Sequence, residues 1–221
     1  MKNSLILALL CIGLIPARAQ KIIEKHIAFS PKNFVSMNFQ ISDSIHIVTW
    51  KKDEVYIRSS IDVNDNQDND DYKMVFDETG STINVSAKLE TENIRRSKRD
   101  SGNCCCCCNY NTKIFHEVYI PENADFSVET INGNIIINGN TAEIRAKSIS
   151  GYIDLAIAPQ RKADVKMHTI TGTMYSNFDL PTSRHIKQVG GGSISAELNG
   201  GGGKFIDLET ISGNIYFRKE S

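Results

Sequence analysis

The sequence predicts an all-β fold, a β-solenoid or β-helix-like stack of coils with roughly 20-residue repeats. Three observations carry that expectation. Apolar and polar residues alternate on both sides of a set of glycines. Those glycines recur about every 20 residues, at 133, 151, 172, 191 or 192, and 213. Helical spacing is not evident anywhere beyond the first twenty residues.

Met1 to Gln20 reads as a secretory signal peptide. Lys2 gives the positive start, Leu5 to Ile15 the apolar stretch, and Ala17-Arg18-Ala19 a small-x-small cleavage site after Pro16. The expected boundaries are a signal at residues 1–19 and a single β-solenoid domain over 20–221. The apolar run is about 11 residues, short for the roughly 30 Å of a bilayer core, so an N-terminal anchor is disfavoured. Leu9 and Leu10 before Cys11 do not suit a lipoprotein signal, so Cys11 is expected to leave with the signal. No later stretch approaches 18 apolar residues, and a chain that does not span a membrane is expected. The product is then exported: periplasmic, held at the cell surface, or secreted.

The early part of the domain alternates less regularly. Ser44 to Trp50, Glu54 to Ile61, Lys73 to Phe76 and Thr82 to Ala87 read as strands. Asp53, Asn64 to Asp71 and Glu78-Thr79-Gly80 punctuate them as turns. Residues 95–111 form an inserted loop, basic at Arg95-Arg96-Ser97-Lys98-Arg99 and cysteine-rich at Cys104 to Cys108.

The repeats then become explicit. Thr130-Ile131-Asn132-Gly133-Asn134-Ile135 aligns with Ser148-Ile149-Ser150-Gly151-Tyr152-Ile153. Thr169-Ile170-Thr171-Gly172-Thr173-Met174 and Thr210-Ile211-Ser212-Gly213-Asn214-Ile215 follow the same form. A degenerate copy stands at Gln188 to Ile194. Each unit predicts a strand, a glycine corner and a second strand. Glycine suits the corner because it alone takes positive φ without steric penalty. Such units stack because none buries its own apolar face.

The run Val118-Tyr119-Ile120-Pro121, continued through Phe126-Ser127-Val128-Glu129-Thr130-Ile131-Asn132-Gly133-Asn134-Ile135, resembles the bacterial putative adhesin family. That family opens on Val-x-Ile-Pro and repeats Thr-x-Ser-Gly-x-Ile. The resemblance covers about Ser44 to the end and is best over 126–217. The cysteine insertion and the triple-glycine unit depart from it. It implies a β-solenoid in an exported bacterial protein, and the function expected of such a chain is to bind or scaffold rather than to catalyse.

Composition narrows the function classes. Lys plus Arg is 25 and Asp plus Glu is 26, a net charge of −1, so nothing draws the chain generally to nucleic acid. Strict alternation through the inward Thr130, Ser148, Thr169 and Thr210 sends Ile131, Ile149, Ile170 and Ile211 outward as an apolar stripe, a partner surface. A corner that resets the strand phase would bury them instead, the favoured reading because burial is the default for isoleucine. Tyr175 and Tyr216 fall on an outward ladder with Ile136, Asp154 and Ser195. These isoleucines and tyrosines are the candidate binding residues, for an unknown protein or glycan at the cell surface.

Cys104, Cys105, Cys106, Cys107 and Cys108 leave an odd number of thiols after export. Three readings stand: a soft-metal loop, disulfide-linked homo-oligomers, or a loop expansion with no role. No cofactor is otherwise expected, and a metal-binding or thiol-linked envelope protein is the alternative function. A carbohydrate-active enzyme ranks last. A second outward ladder, Glu129, Lys147, His168, Gln188 and Glu209, sets no Ser or Cys nucleophile beside His168, so no catalytic residue is assigned. Asp62 to Asp71 departs from calcium-loop patterns and reads as a polar turn. Gly200 to Gly203 lacks the phosphate-loop pattern and reads as a flexible corner between coils.

Overall fold

The computed structural model describes residues 20–90, 110–140, 142–180 and 191–220. The alternation read from the sequence becomes strands β1 (Lys21–Ala28), β2 (Phe34–Trp50), β3 (Glu54–Val63), β4 (Tyr72–Thr79), β5 (Thr82–Leu89), β6 (Thr112–Pro121) and β7 (Asp125–Asn138). The remainder are β8 (Ile144–Ser150), β9 (Ile153–Ile157), β10 (Ala163–Thr169), β11 (Met174–Ser176), β12 (Gly192–Leu198), β13 (Lys204–Ser212) and β14 (Ile215–Lys219). Among the described residues, the helical content is one 3-10 turn at Asn69–Asp71.

All fourteen strands join one mixed sheet that folds over on itself. The long strands β2 and β7 cross the fold line, so the sheet has two rows. The first row runs β4, β5, the early half of β2, the early half of β7, β8, β13, β10, β12. The second runs β1, β3, β6, the late halves of β2 and β7, β9, β14, β11. The core lies between the rows. His116 of β6 meets Phe39 of β2, and Tyr72 of β4 reaches His116 across the interior. Val35, Phe39, Ile45, Phe126, Ile135, Ile153, Ile206, Ile215 and Phe217 are fully buried there.

The repeat units form the parallel middle of both rows, and their corners explain their sequence. Gly133 and Gly151 have φ of 151° and 149°, a region disfavoured for side-chain-bearing residues. Packing makes the demand absolute. A Cβ on Gly133 would strike the Ser42 carbonyl, one on Gly151 the Gly133 carbonyl, one on Gly213 the Gly151 carbonyl, and one on Gly172 the Gly213 carbonyl. The corners stack directly on one another. The hydroxyl three residues before Gly151, Gly213 and Gly172 pins that stack, while Thr130, before Gly133, donates to the Asn132 carbonyl within its own turn. Ser148 donates to the Gly133 carbonyl at 3.0 Å, Thr210 to Gly151 at 3.2 Å, and Thr169 to Gly213 at 3.0 Å.

Two features differ from a sequential solenoid. The repeat units do not stack in chain order, because β13 and β14 lie between β8/β9 and β10/β11. The repeats resemble one another so closely that spacing alone cannot assign neighbours. Both ends of the sheet are also antiparallel. β1, β3 and β6 pair that way, as do β4 with β5 and β10 with β12. The degenerate copy ending at Ile194 is therefore no fifth coil; its described part lies in β12, antiparallel to β10.

The polar turn before β4 holds itself together. Asn64, Asp65 and Asn66 take φ of 52°, 54° and 63°. The Asp62 carboxylate accepts from the Asn66 amide, and the buried Asn69 side chain accepts from the Val63 amide. The Asn199–Gly203 run is likewise no slack corner. It wraps the start of β10, and the Asn199 side chain donates to the carbonyls of Pro159 and Arg161 at 2.9 and 2.7 Å.

Candidate functional site

The isoleucines two residues before each corner face solvent. Ile131 is 49%, Ile149 39% and Ile170 50% exposed, and Ile211 is half-buried. The reading that a phase reset would bury them is corrected. The reset does occur, but after them: positions two and one before the glycine both point out, and the second strand starts inward again at Ile135, Ile153 and Ile215. Pairing places the stripe in the order Ile131, Ile149, Ile211, Ile170 along the outer side of the fold line. Neighbouring strands are about 4.8 Å apart, so the stripe is a continuous apolar edge.

Round the corner, Tyr216 and Tyr175 are in register on β14 and β11. Their rings lie 5.2 Å apart at 8°, and Tyr152 meets Tyr216 edge-on at 6.0 Å. Tyr175 is 50% exposed. The Asn214 side chain donates to the Tyr216 hydroxyl at 3.1 Å. Arg218 grips Asp154 through two bonds of 2.6 and 2.8 Å, and that hydrogen bonding raises the guanidinium pKa above its ordinary value. The true ladder is Ile136, Asp154, Tyr216, Tyr175. Ser195, expected there, sits on β12 opposite Lys166.

A second aromatic group escaped the sequence reading. At the other end of the second row, Trp50 lies 5.2 Å from Tyr119 and 6.3 Å from Tyr56, and His26 lies 4.5 Å from Tyr56. The Lys52 ammonium stands 4.5 Å over the indole, whose N–H donates to the Glu54 carbonyl. These residues come from β1, β2, β3 and β6 and from the turn after β2; His26 and Tyr119 are brought from far in sequence to the Trp50–Tyr56 stretch. The available signal was the outward phase of Tyr56 and Tyr119 beside the buried Val55, Ile57, Val118 and Ile120.

On the outer face of the first row, charge alternates strand by strand. Glu129 is on β7, Arg145 and Lys147 on β8, Asp207 and Glu209 on β13, and Lys166 and His168 on β10. Lys147 meets Glu209 at 3.2 Å and Lys166 meets Asp207 at 3.8 Å. A shallow groove of about 300 Å³ runs over β7, β8 and β13 among these side chains. The register also sets Ser193 opposite His168, with Glu209 on its other side, a neighbour the spacing had hidden. No hydrogen bond joins His168 to either, and Glu209 turns to Lys147 instead. A true Ser–His contact exists elsewhere: Ser59 Oγ lies 2.7 Å from His116 Nδ1. Both residues are 0% exposed, so this pair is a core linkage out of reach of any substrate. Desolvation lowers the His116 pKa to about 3, which keeps the ring neutral.

Cys104 to Cys108, Arg95 to Arg99, Gln188 and the 1–19 segment lie outside the described residues. Among the described residues, no three His, Cys, Asp or Glu side chains are grouped to hold a metal ion. No helix of the described residues is long and apolar enough to cross a membrane.

No family model matches the sequence, and no curated protein matches it. Solved structures do. A putative cell adhesion protein from Clostridium sporogenes is 10% identical, covering 90% of this chain and 100% of its own, with a TM-score of 0.49. A putative adhesin from Parabacteroides merdae is 15% identical over 71% of this chain and 64% of its own, with a TM-score of 0.34. Another from Bacteroides fragilis is 9% identical over 92% and 99%, with a TM-score of 0.32.

Proposed function

We propose that the chain is an exported, non-catalytic, adhesin-like binding protein of the bacterial cell envelope. Its partner, a protein or glycan at the cell surface, docks on the apolar edge Ile131–Ile149–Ile211–Ile170 and the adjoining Tyr175 and Tyr216. The observation that carries this reading is the exposure of stacked isoleucines beside a fully formed core. A folded chain with 0% exposed Ile135, Ile153 and Ile215 has no need of surface isoleucines at every corner. Contiguous exposed apolar surface marks interaction sites. Export is supported by the Met1 to Gln20 pattern.

The test compares the wild-type chain with an Ile149→Asp, Ile211→Asp variant and with Tyr175→Ala. Binding is read on intact bacterial cells and on an array of surface glycans, and folding by far-UV circular dichroism. The expected result is loss of at least about tenfold in affinity, the loss of roughly 1.4 kcal/mol, with the fold unchanged. Equal binding by all three chains would remove this surface from consideration.

A further inference from the structure

We infer that the C-terminal strand pair, residues 204–220, is an exchangeable insert, and that the partner fitted to its slot is the same segment of a second copy of this chain.

The topology sets up the exchange. β13 and β14 come last in the sequence but sit inside the sheet, parallel to β8 and β9 on one side and to β10 and β11 on the other. Until they enter, the facing edges of four strands have no pairing. Such edges accept strands in trans.

Charge makes the slot selective. In the second row Asp154 on β9 is acidic and takes Arg218 of the insert, whereas in the middle of the first row the outward positions of its walls are basic, Arg145 and Lys147 on β8 and Lys166 and His168 on β10. The insert carries Asp207 and Glu209 at the same level, paired to Lys166 and Lys147. Closing the slot by joining β8 directly to β10 would set the Arg145 and Lys166 cations opposite each other. Like charges directly opposite are destabilising. The slot is therefore biased to stay open for an acidic strand with the Thr-Ile-Ser-Gly corner. Of the described segments, residues 204–220 combine both features.

The connection is built as a hinge. β12 ends at Leu198 and β13 starts at Lys204, on opposite sides of Ala163 in β10. Asn199, Gly200, Gly201 and Gly202 all take left-handed φ to make that crossing. A Cβ on Gly203 would strike the Lys162 carbonyl. Opening this one strap lets the whole insert leave and enter a neighbour's slot with every contact preserved, the low-penalty route to a dimer.

Charge reversal tests the inference on full-length chains under reducing conditions. One chain carries Asp207→Lys and Glu209→Lys, so its insert no longer suits its own slot. The other carries Lys147→Glu and Lys166→Glu, so its slot no longer suits its own insert. Reciprocal exchange restores every pair in both. Refolded together, they are expected to give a 1:1 heterodimer of twice the monomer mass by light scattering, while neither alone forms a folded dimer. If mixing changes nothing, the inference is overturned, whether each chain alone is a folded monomer or an unfolded one. A second variant, lacking Gly201 and Gly202 in the otherwise natural chain, is expected to shift from monomer to dimer as the shortened strap can no longer round β10. A folded monomer there would also overturn the inference.

Discussion

The hydroxyl of Ser148 donates to the carbonyl of Gly133 at 3.0 Å, one coil away. With its counterparts from Thr210 and Thr169, the bond explains why a hydroxyl stands three residues before Gly151, Gly213 and Gly172. The stacked corners leave no room for a Cβ, so each carbonyl comes close enough to take a hydroxyl from the next coil. Gly151→Ala is expected to destabilise strongly, by about 3 kcal/mol or more, because its Cβ meets the Gly133 backbone and its φ is strained as well. Ser148→Ala strands a buried carbonyl acceptor and is expected to lose about 1–2 kcal/mol. Gly80→Ala is the control: its φ is +62°, but the space around it is open, so about 1 kcal/mol is expected. Urea denaturation of the three variants checks the ranking.

His116 predicts acid sensitivity. It is buried against Phe39, with Ser59 at one ring nitrogen and Tyr72 at the other. Its folded pKa is lowered to about 3, against 6.5 unfolded. The unfolded chain therefore binds the proton first. This contribution to stability is complete above about pH 6.5 and is lost as pH falls toward 3, at about 1.4 kcal/mol per pH unit. His116→Phe removes that slope while leaving the Tyr72 hydroxyl its bond to the Ile41 carbonyl. The stability gap between wild type and variant should narrow steadily from pH 6.5 to pH 4 in urea titrations. A constant gap would mean that the ring is protonated in the fold.

The repeat grammar was legible because it is local: period two on each side of a glycine, with a hydroxyl three residues before. Ile153 in and Tyr152 half out follow from alternation alone. The spatial order was not legible from the repeats. Lys147 and His168 were read as neighbours because they follow in sequence, and Glu209 between them is visible only through strand pairing. The charges held a clue, since stacking in chain order would have set basic Lys147 beside His168. The burial of Ile149 was misjudged for another reason. Its average preference is to be inside, and only the stacked corner, which has to turn the chain after it, holds it out. The Trp50, Tyr56 and Tyr119 group needs three strands brought together, and no sequence window contains it.

Asn199 predicts how firmly the glycine strap is held. Its side chain ties two carbonyls of the turn before β10, and its own φ is 52°. Asn199→Gly keeps the backbone conformation and removes only the bonds, so about 1–2 kcal/mol is expected. Asn199→Ala adds left-handed strain and should lose about 1 kcal/mol more. Amide hydrogen exchange in β13 should quicken in both variants before that in β7, which lies two strands away from it.

Ile149 and Ile153 are four residues apart on opposite sides of one corner, and they separate surface from core. Ile153 is 0% exposed, and Ile153→Ala is expected to destabilise by about 2–5 kcal/mol through the lost apolar contact and the cavity left behind. Ile149 is 39% exposed, and Ile149→Ser should stay within about 1 kcal/mol of wild type. Its effect should appear elsewhere, as reduced binding of an apolar dye, since the substitution interrupts the stripe between Ile131 and Ile211. Thermal unfolding with dye binding at matched concentrations makes the comparison. A large loss of stability from Ile149→Ser would mean that the residue serves the core, and the stripe would lose its claim as a docking edge.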